Sequence, residues 1–262
     1  MLQACLNGSR SPRTGVPVTP QQLAEASRAA LDAGATGVHV HPRDARGGES
    51  LHPADVVAGV GAIRATGRHT RVGVTTHQGA CPDERRRIEL VRGWPGPADG
   101  GPDFASVNWH EPGAGEIAFA LRAKGIGVEA GIWTARSASA FLRTSWPRLV
   151  ERVLVEVIPG VTPGSSGVWA AERVLAALGM PSGPVLVHGE GTWTWPVLRW
   201  AQRRGYDLRI GLEDTLVDEH GRRAADNAAL VRAALVVPRH GPADWPVPSP
   251  TGERRWWDPQ DS

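Results

Sequence analysis

Two histidines separated by one residue stand in an apolar run, at a spacing suited to binding a metal ion. His39 and His41 occur in the segment TGVHVHPRD. If this run is a β-strand, residues two apart point to the same side, so both imidazoles face one point. Neutral imidazole binds Zn²⁺, Fe²⁺, Co²⁺ and Ni²⁺. The alternative is a packed pair of core histidines, each needing a hydrogen-bond partner.

A carboxylate late in the chain supplies a third candidate ligand. Glu213 lies in the segment RIGLEDT, directly after another short apolar run. If both runs end at the same side of the fold, Glu213 reaches the histidine pair. Two histidines and one carboxylate leave a coordination position open, which is the arrangement of catalytic rather than structural zinc sites.

An arginine and an aspartate accompany Glu213 in the same segment. Arg209 and Glu213 are four residues apart and share a strand face, whereas Asp214 points away unless the chain turns after Leu212. Arg209 and Asp214 form either a plain salt bridge or a base whose ionised form is favoured by a neighbouring cation. The residues alone leave both interpretations open.

These distant residues need a scaffold that brings strand ends together, and the periodicity of the chain predicts one. Most of the short runs are apolar on both faces, as in parallel strands covered by helices. The predicted strands are 2–6, 36–41, 71–76, 103–108, 126–131, 152–157, 184–188 and 207–212. The helical windows are 19–35, 52–67, 82–94, 114–125, 134–145, 195–205 and 225–235.

Eight such repeats in 262 residues predict an α/β chain folded as one (β/α)8 TIM barrel. We assign the catalytic barrel to residues 1–237 and a Pro- and Trp-rich tail or arm to residues 238–262. A doubly wound open sheet is the structural alternative.

In a barrel of this kind, active sites form at the C-terminal ends of the strands. Candidate substrate contacts at these ends are Asn7, Arg10, His77, Asn108 and Glu129. Glu129 has an equally good alternative as an ion pair with an arginine. Further polar residues at strand ends include Thr75, Glu156, His188 and Glu190.

The composition of the chain limits its possible mechanisms and partners. Lys124 is the only lysine, and it precedes strand five at the opposite end of the barrel, which argues against a Schiff-base mechanism. A metal is the remaining way to polarise a carbonyl. The net charge of +2 predicts no nucleic-acid partner. Two isolated cysteines and the lack of a long apolar window predict a soluble, cytoplasmic protein without a membrane contact.

Four segments together resemble the β-keto acid cleavage enzymes, which include 3-keto-5-aminohexanoate cleavage enzyme. They are HVHPRD, VGVTT, ASVNWHEP and RIGLEDT, and the resemblance extends from about residue 2 to residue 235. It implies a zinc-dependent barrel that condenses a β-keto acid with acetyl-CoA, giving acetoacetate and a new acyl-CoA. It also implies His39, His41 and Glu213 as zinc ligands. Asp214, paired with Arg209, is then the proton-abstracting base, and Thr75 is a hydroxyl near the reacting carbonyl.

The chain departs from the family pattern at two positions. Arg10 stands near the place where the 3-keto-5-aminohexanoate enzyme has an acidic residue, which predicts an anionic or neutral substrate side chain. His77 stands where the family usually has glycine. Family analogy further implies a homo-oligomer. The competing functions are a metal-dependent hydrolase or lyase that does not use coenzyme A, and a non-catalytic metal-binding barrel.

Overall fold

The computed structural model describes residues 1–179, 181 and 183–236. Within them, eight parallel strands close into a barrel in the order β1 to β8. The strands are β1 Leu2–Cys5, β2 Gly37–Val40, β3 Arg71–Thr75, β4 Phe104–Asn108, β5 Gly127–Ile132, β6 Arg152–Val157, β7 Val185–Gly189 and β8 Asp207–Ile210.

One α-helix follows each strand in the described chain. The helices are α1 Pro20–Asp32, α2 Pro53–Arg64, α3 Glu84–Arg92, α4 Ala114–Arg122, α5 Ala135–Leu142, α6 Gly167–Leu178, α7 Thr194–Arg203 and α8 Asn227–Leu235. The predicted (β/α)8 barrel is therefore confirmed, and the open sheet is excluded. Among the described residues, no helix combines the length and apolarity needed to cross a membrane. The predicted tail at 238–262 lies outside the described residues.

Helix α6 is the element that the sequence analysis did not predict. Ser166 caps it by accepting a hydrogen bond from the backbone of Trp169, and Gly179 ends it. Its buried residues Ala171, Val174 and Leu178 recur at helical spacing. The pattern was present in the sequence, but it follows a Pro- and Gly-rich stretch typical of a loop.

The strands divide the barrel into an apolar exterior and a mixed interior. Residues on the outer faces, such as Val38, Val72 and Val155, belong to one buried cluster with the inner faces of the helices. Residues one position away point into the barrel. At the C-terminal mouth these inward residues are polar, so the fold itself concentrates polar groups at one end of its axis.

Candidate active site

A cavity of about 470 Å³ opens at the C-terminal mouth of the barrel. Most of the predicted site residues line it: Arg10, His39, His41, Thr75, His77, Asn108, Arg209 and Glu213. Asn7, Glu129 and Asp214 do not line this cavity. Apart from these three, the residues predicted from the sequence therefore gather around one cavity at the C-terminal end of the barrel.

The predicted metal ligands meet at one point on the cavity wall. One ligand atom from each of His39, His41 and Glu213 lies within 4.8 Å of the others. All three side chains are nearly buried, and His39 Nδ1 and Glu213 Oε2 have no hydrogen-bond partner. Buried polar atoms without partners are costly, and two imidazoles with a carboxylate form a donor set that suits a divalent cation. The residues present thus fit a divalent metal.

Two backbone features hold Glu213 in place. After β8 the chain turns, with Asp214 N donating to Gly211 O at 3.0 Å, and Glu213 N donates to Cys5 O at 3.3 Å. Gly8 packs against the Glu213 side chain with a φ of +54°, and a Cβ there would lie 2.3 Å from Glu213 Cγ. Glycine is therefore required at position 8 both for its backbone conformation and for this close approach.

Asn7 supports the site from behind and does not contact the cavity. Its amide nitrogen donates to His41 O at 2.8 Å, and its amide oxygen accepts from His41 N at 2.9 Å. Asn7, predicted as a substrate contact, is therefore not among the cavity-lining residues, and its fully buried side chain fixes the backbone of His41.

Burial and ion pairs set the charges of the three ligands. Burial holds the pKa of His39 well below its usual value, which favours the neutral imidazole that binds metals. Burial opposes ionisation of Glu213, but Arg209 and then His41 hold its pKa well below the usual range. Burial also opposes the charge on His41, yet Glu213 and Glu49 raise its pKa to about 9. A bound cation would therefore replace a proton that these carboxylates hold on His41.

Arg209 and Asp214 lie close together, and the sequence alone left the role of this pair open. Arg209 Nη2 contacts Glu213 Oε1 and lies 3.5 Å from Asp214 Oδ1. Asp214 is fully buried behind these groups, with Cys5 Sγ donating to its Oδ2 at 3.0 Å. Arg209 thus lies between the candidate base and the metal ligand.

Thr75, Asn108 and Arg10 line the cavity but already have protein partners. Thr75 Oγ1 accepts a hydrogen bond from His77 N at 3.2 Å. Asn108 Nδ2 donates to Glu111 Oε1 at 2.9 Å. Arg10 Nε donates to Glu213 O at 3.0 Å, so its guanidinium stands beside the candidate ligand set.

Glu49 is a site residue that the sequence analysis missed. Its Oε1 lies 2.5 Å from His41 Nδ1 and 3.0 Å from His77 Nε2. Burial opposes its ionisation, but the hydrogen bonds from these two histidines hold its pKa far below the usual range. Glu49 follows a Gly-rich loop, and its spacing from β2 gave no signal.

A second set of titratable groups lines the opposite wall of the cavity. Glu156 and Glu190 share a hydrogen bond, and Glu156 Oε2 lies 3.7 Å from His188 Nε2. His188 Nδ1 lies 3.4 Å from Asp214 Oδ1, so the cluster connects the cavity with the candidate base. Burial, together with Glu156 and Asp214, raises the pKa of Glu190 to about 9.

The raised pKa of Glu190 makes stability depend on pH. Between its ordinary value and about 9 the folded chain keeps this proton while the unfolded chain releases it, so stability falls as pH rises. Glu190→Gln imitates the protonated acid and should remove up to about 1.4 kcal/mol per pH unit of this fall. We expect the unfolding free energy of Glu190→Gln, measured with urea, to change less with pH than that of the wild type. The comparison covers about three pH units, from roughly pH 5.5 to roughly pH 8.5.

The matched control is Glu116→Gln, which changes an exposed glutamate on α4. It should leave the wild-type slope unchanged. An unchanged slope in Glu190→Gln as well would show that Glu190 is not protonated in the folded state. Burial and Arg209 oppose the charge on His188, yet Asp214 and Glu156 raise its pKa to about 9. His188 therefore contributes its own decline in stability with rising pH in both variants.

Glu129 lies deeper in the barrel and does not line the mouth cavity. It pairs in register with Arg152, the first residue of β6, and Arg152 Nε donates to Glu129 Oε2. Arg152 also stacks on the Phe104 ring, 4.8 Å from its centroid. The structure therefore places Glu129 in an internal ion pair with an arginine, which was the alternative to a substrate contact.

Glu129→Gln should destabilise the fold by about 3–5 kcal/mol, because it leaves the nearly buried Arg152 guanidinium without its counter-ion. Urea unfolding measures this change. Glu151→Gln, which breaks the exposed pair with Arg71, is the control and should cost less than about 1 kcal/mol. Equal effects of the two variants would contradict the buried-pair account.

The fold and the mouth cavity define a (β/α)8 barrel with a candidate metal centre at the catalytic end of its strands. The chain belongs to the β-keto acid cleavage enzyme family, BKACE, whose family model matches residues 1–240. No curated protein sequence matches the chain significantly.

Solved structures with low sequence identity share the fold. The apo structure of ObcA is similar with a TM-score of 0.65 at 17% identity, over 83% of this chain and 60% of that chain. The binary complex of ObcA with oxaloacetate gives a TM-score of 0.62 at 17% identity, over 83% and 62%. The N-acetylmannosamine-6-phosphate 2-epimerase from Clostridium perfringens gives 0.54 at 14% identity, over 82% and 87%. The chain thus spans about three fifths of the length of the ObcA chains.

Proposed function

We propose that this protein is a metal-dependent β-keto acid cleavage enzyme that uses acetyl-CoA as co-substrate. It would convert a β-keto acid and acetyl-CoA to acetoacetate and a new acyl-CoA. The observation that carries the proposal is the convergence of His39, His41 and Glu213 on one cavity in a member of this family. Zn²⁺ is the proposed ion, since two imidazoles and a carboxylate suit it.

His39, His41 and Glu213 would hold the metal at the edge of the cavity. When bound, the metal supplies a positive charge that stabilises the enolate form of a β-keto acid. Arg209 orients Glu213 through their contact and places a second positive charge beside the same spot. Thr75 and Asn108 present polar groups from the neighbouring strands β3 and β4, where they can orient the substrate.

Asp214 is the proposed base that removes the α-proton. Its Oδ1 lies 3.5 Å from Arg209 Nη2, so the guanidinium stands beside the proposed base. Asp214 is buried, whereas Glu156 lines the cavity and connects to it through His188. Glu156 is therefore the second candidate for the base, and the two carboxylates can be distinguished by mutation.

The substrate is proposed to have an anionic or neutral side chain. Arg10 lines the cavity beside the ligand set, and its guanidinium would attract a second carboxylate. The complex of ObcA with oxaloacetate makes that β-keto dicarboxylate a reasonable first compound to test. A cytoplasmic location and a homo-oligomeric assembly stay predictions.

The deciding experiment incubates zinc-loaded protein with acetyl-CoA and a panel of β-keto acids. The panel covers anionic, neutral and aminated side chains, and mass spectrometry follows new acyl-CoA and acetoacetate. We expect turnover with at least one anionic or neutral compound and none without acetyl-CoA. Cleavage that continues without coenzyme A would favour the hydrolase or lyase alternative. Bound metal without any turnover would favour the non-catalytic barrel.

A further inference from the structure

We propose that Glu49, held by His77 and Ser9, is a positioning residue that fixes the tautomer and orientation of the metal ligand His41. This inference rests on the proposed metal site and extends it to three residues outside the ligand set.

The two nitrogens of His41 face different carboxylates. Nε2 lies 3.3 Å from Glu213 Oε1, on the side of the ligand cluster. Nδ1 lies 2.5 Å from Glu49 Oε1, on the opposite side of the ring. An ionised carboxylate only accepts hydrogen bonds, so Nδ1 must carry the proton. In the neutral ring, the lone pair is then on Nε2, where it points towards the other ligands.

The protons around Glu49 form a consistent set. His77 Nδ1 accepts a hydrogen bond from Gly79 N at 3.2 Å, so the proton of a neutral His77 is on Nε2. His77 Nε2 then donates to Glu49 Oε1 at 3.0 Å, and Ser9 Oγ donates to the same oxygen at 3.3 Å. Glu49 therefore receives three hydrogen bonds from three separate segments, which restricts its motion.

The loop that carries Glu49 is itself anchored to the barrel. Arg43 and Glu49 form an antiparallel bridge. Arg43 donates to Gly47 O at 3.3 Å and to Arg10 O at 3.0 Å. Asp44 Oδ1 accepts from Arg46 N at 2.8 Å and from Gly48 N at 2.9 Å. Such a fixed carboxylate behind a metal-bound histidine typically raises metal affinity by about 10–100-fold.

The same residues suggest a competing arrangement, because His41, Glu49 and His77 also have ligand atoms within 4.8 Å of one another. In this second cluster the Glu49 oxygen accepts from both rings, whereas in the first cluster Glu213 Oε2 has no hydrogen-bond partner. A second ion would have to displace these hydrogen bonds. We therefore assign the cluster to support of His41 rather than to a second metal site.

The test measures Zn²⁺ affinity by competition with a chromophoric chelator, together with metal stoichiometry, in full-length protein. Glu49→Gln keeps the size of the side chain but removes the carboxylate, and it should weaken Zn²⁺ binding about 10–100-fold. His77→Gln should weaken it less, since it removes one of three donors to Glu49. Co²⁺ substitution gives a second readout, because a changed His41 donor shifts the visible absorption of the ion.

Ser50→Ala is the matched control, since Ser50 is next to Glu49 in the chain and bonds Asp55. It should keep wild-type affinity, and the thermal stability of the metal-free variants separates a loop-folding effect from an effect on the ligand. Wild-type affinity in Glu49→Gln, with one ion bound per chain, would overturn this inference and leave the proposed function standing. Two ions in the wild type and one in His77→Gln would also overturn it, in favour of a second metal site. No bound ion in the wild type would refute both proposals.

Discussion

Replacing His39 with alanine is expected to abolish stoichiometric metal binding and to lower turnover by about 10³-fold or more. His39 is one of the three proposed ligands, and burial lowers the pKa of its imidazole, which favours the neutral form that binds metals. Two remaining ligands hold a divalent ion poorly, so the positive charge beside the substrate is lost along with the metal. Metal analysis after dialysis and the acyl-CoA assay measure the two effects.

The control for this variant is His69→Ala, which removes an exposed imidazole between α2 and β3. It should retain wild-type metal content and activity. Full activity of metal-free His39→Ala would refute the metal-dependent mechanism. Full metal content with lost activity would instead indicate that His39 contacts the substrate and does not bind the metal.

The convergence of His39, His41 and Glu213 was predictable because it depends on two regular features of the fold. Alternation along β2 places His39 and His41 on one face whatever the details of packing. Barrel closure then makes β1 a neighbour of both β2 and β8, which brings Glu213 to the histidines. Both arguments need only periodicity and topology, which the sequence carries directly.

The positions of Glu49 and Glu129 could not be predicted in this way, because they depend on loop geometry and strand stagger that have no such periodicity. Glu49 reaches His41 only because the loop after β2 turns back at Gly47, where φ is +80°, and pairs with Arg43. The depth of Glu129 depends on the stagger between β5 and β6, which sets it opposite Arg152. The inward direction of Glu129 could be predicted, but its level along the barrel axis could not.

Loop geometry also decides the position of Asp214. Strand β8 ends at Ile210, earlier than the predicted limit of residue 212, and the chain turns at Gly211. The turn places Glu213 at the cavity and Asp214 behind it, against Cys5 and His188. Strand alternation alone would have placed the two carboxylates on opposite faces without showing what surrounds Asp214.

Asp214→Asn is expected to lower kcat by about 10²–10⁴-fold while metal content stays at the wild-type level. Asparagine has the size of aspartate and keeps an oxygen near Arg209, so the ligand Glu213 should keep its position. It has no basicity, and the α-proton of the substrate then has no acceptor. Because the loss is in the proton transfer, kcat should fall much more than KM changes.

Glu156→Gln is the companion variant that decides which carboxylate is the base. If Asp214 is the base, Glu156→Gln alters the His188 neighbour and should lower kcat less than Asp214→Asn does. Glu156 lines the cavity, so a base at this position would reverse that order. Circular dichroism and metal analysis of both variants exclude unfolding as the cause. A larger loss of kcat in Glu156→Gln, with Asp214→Asn nearly active, would identify Glu156 as the base. Asp214 would then be a structural partner of Arg209 and Cys5.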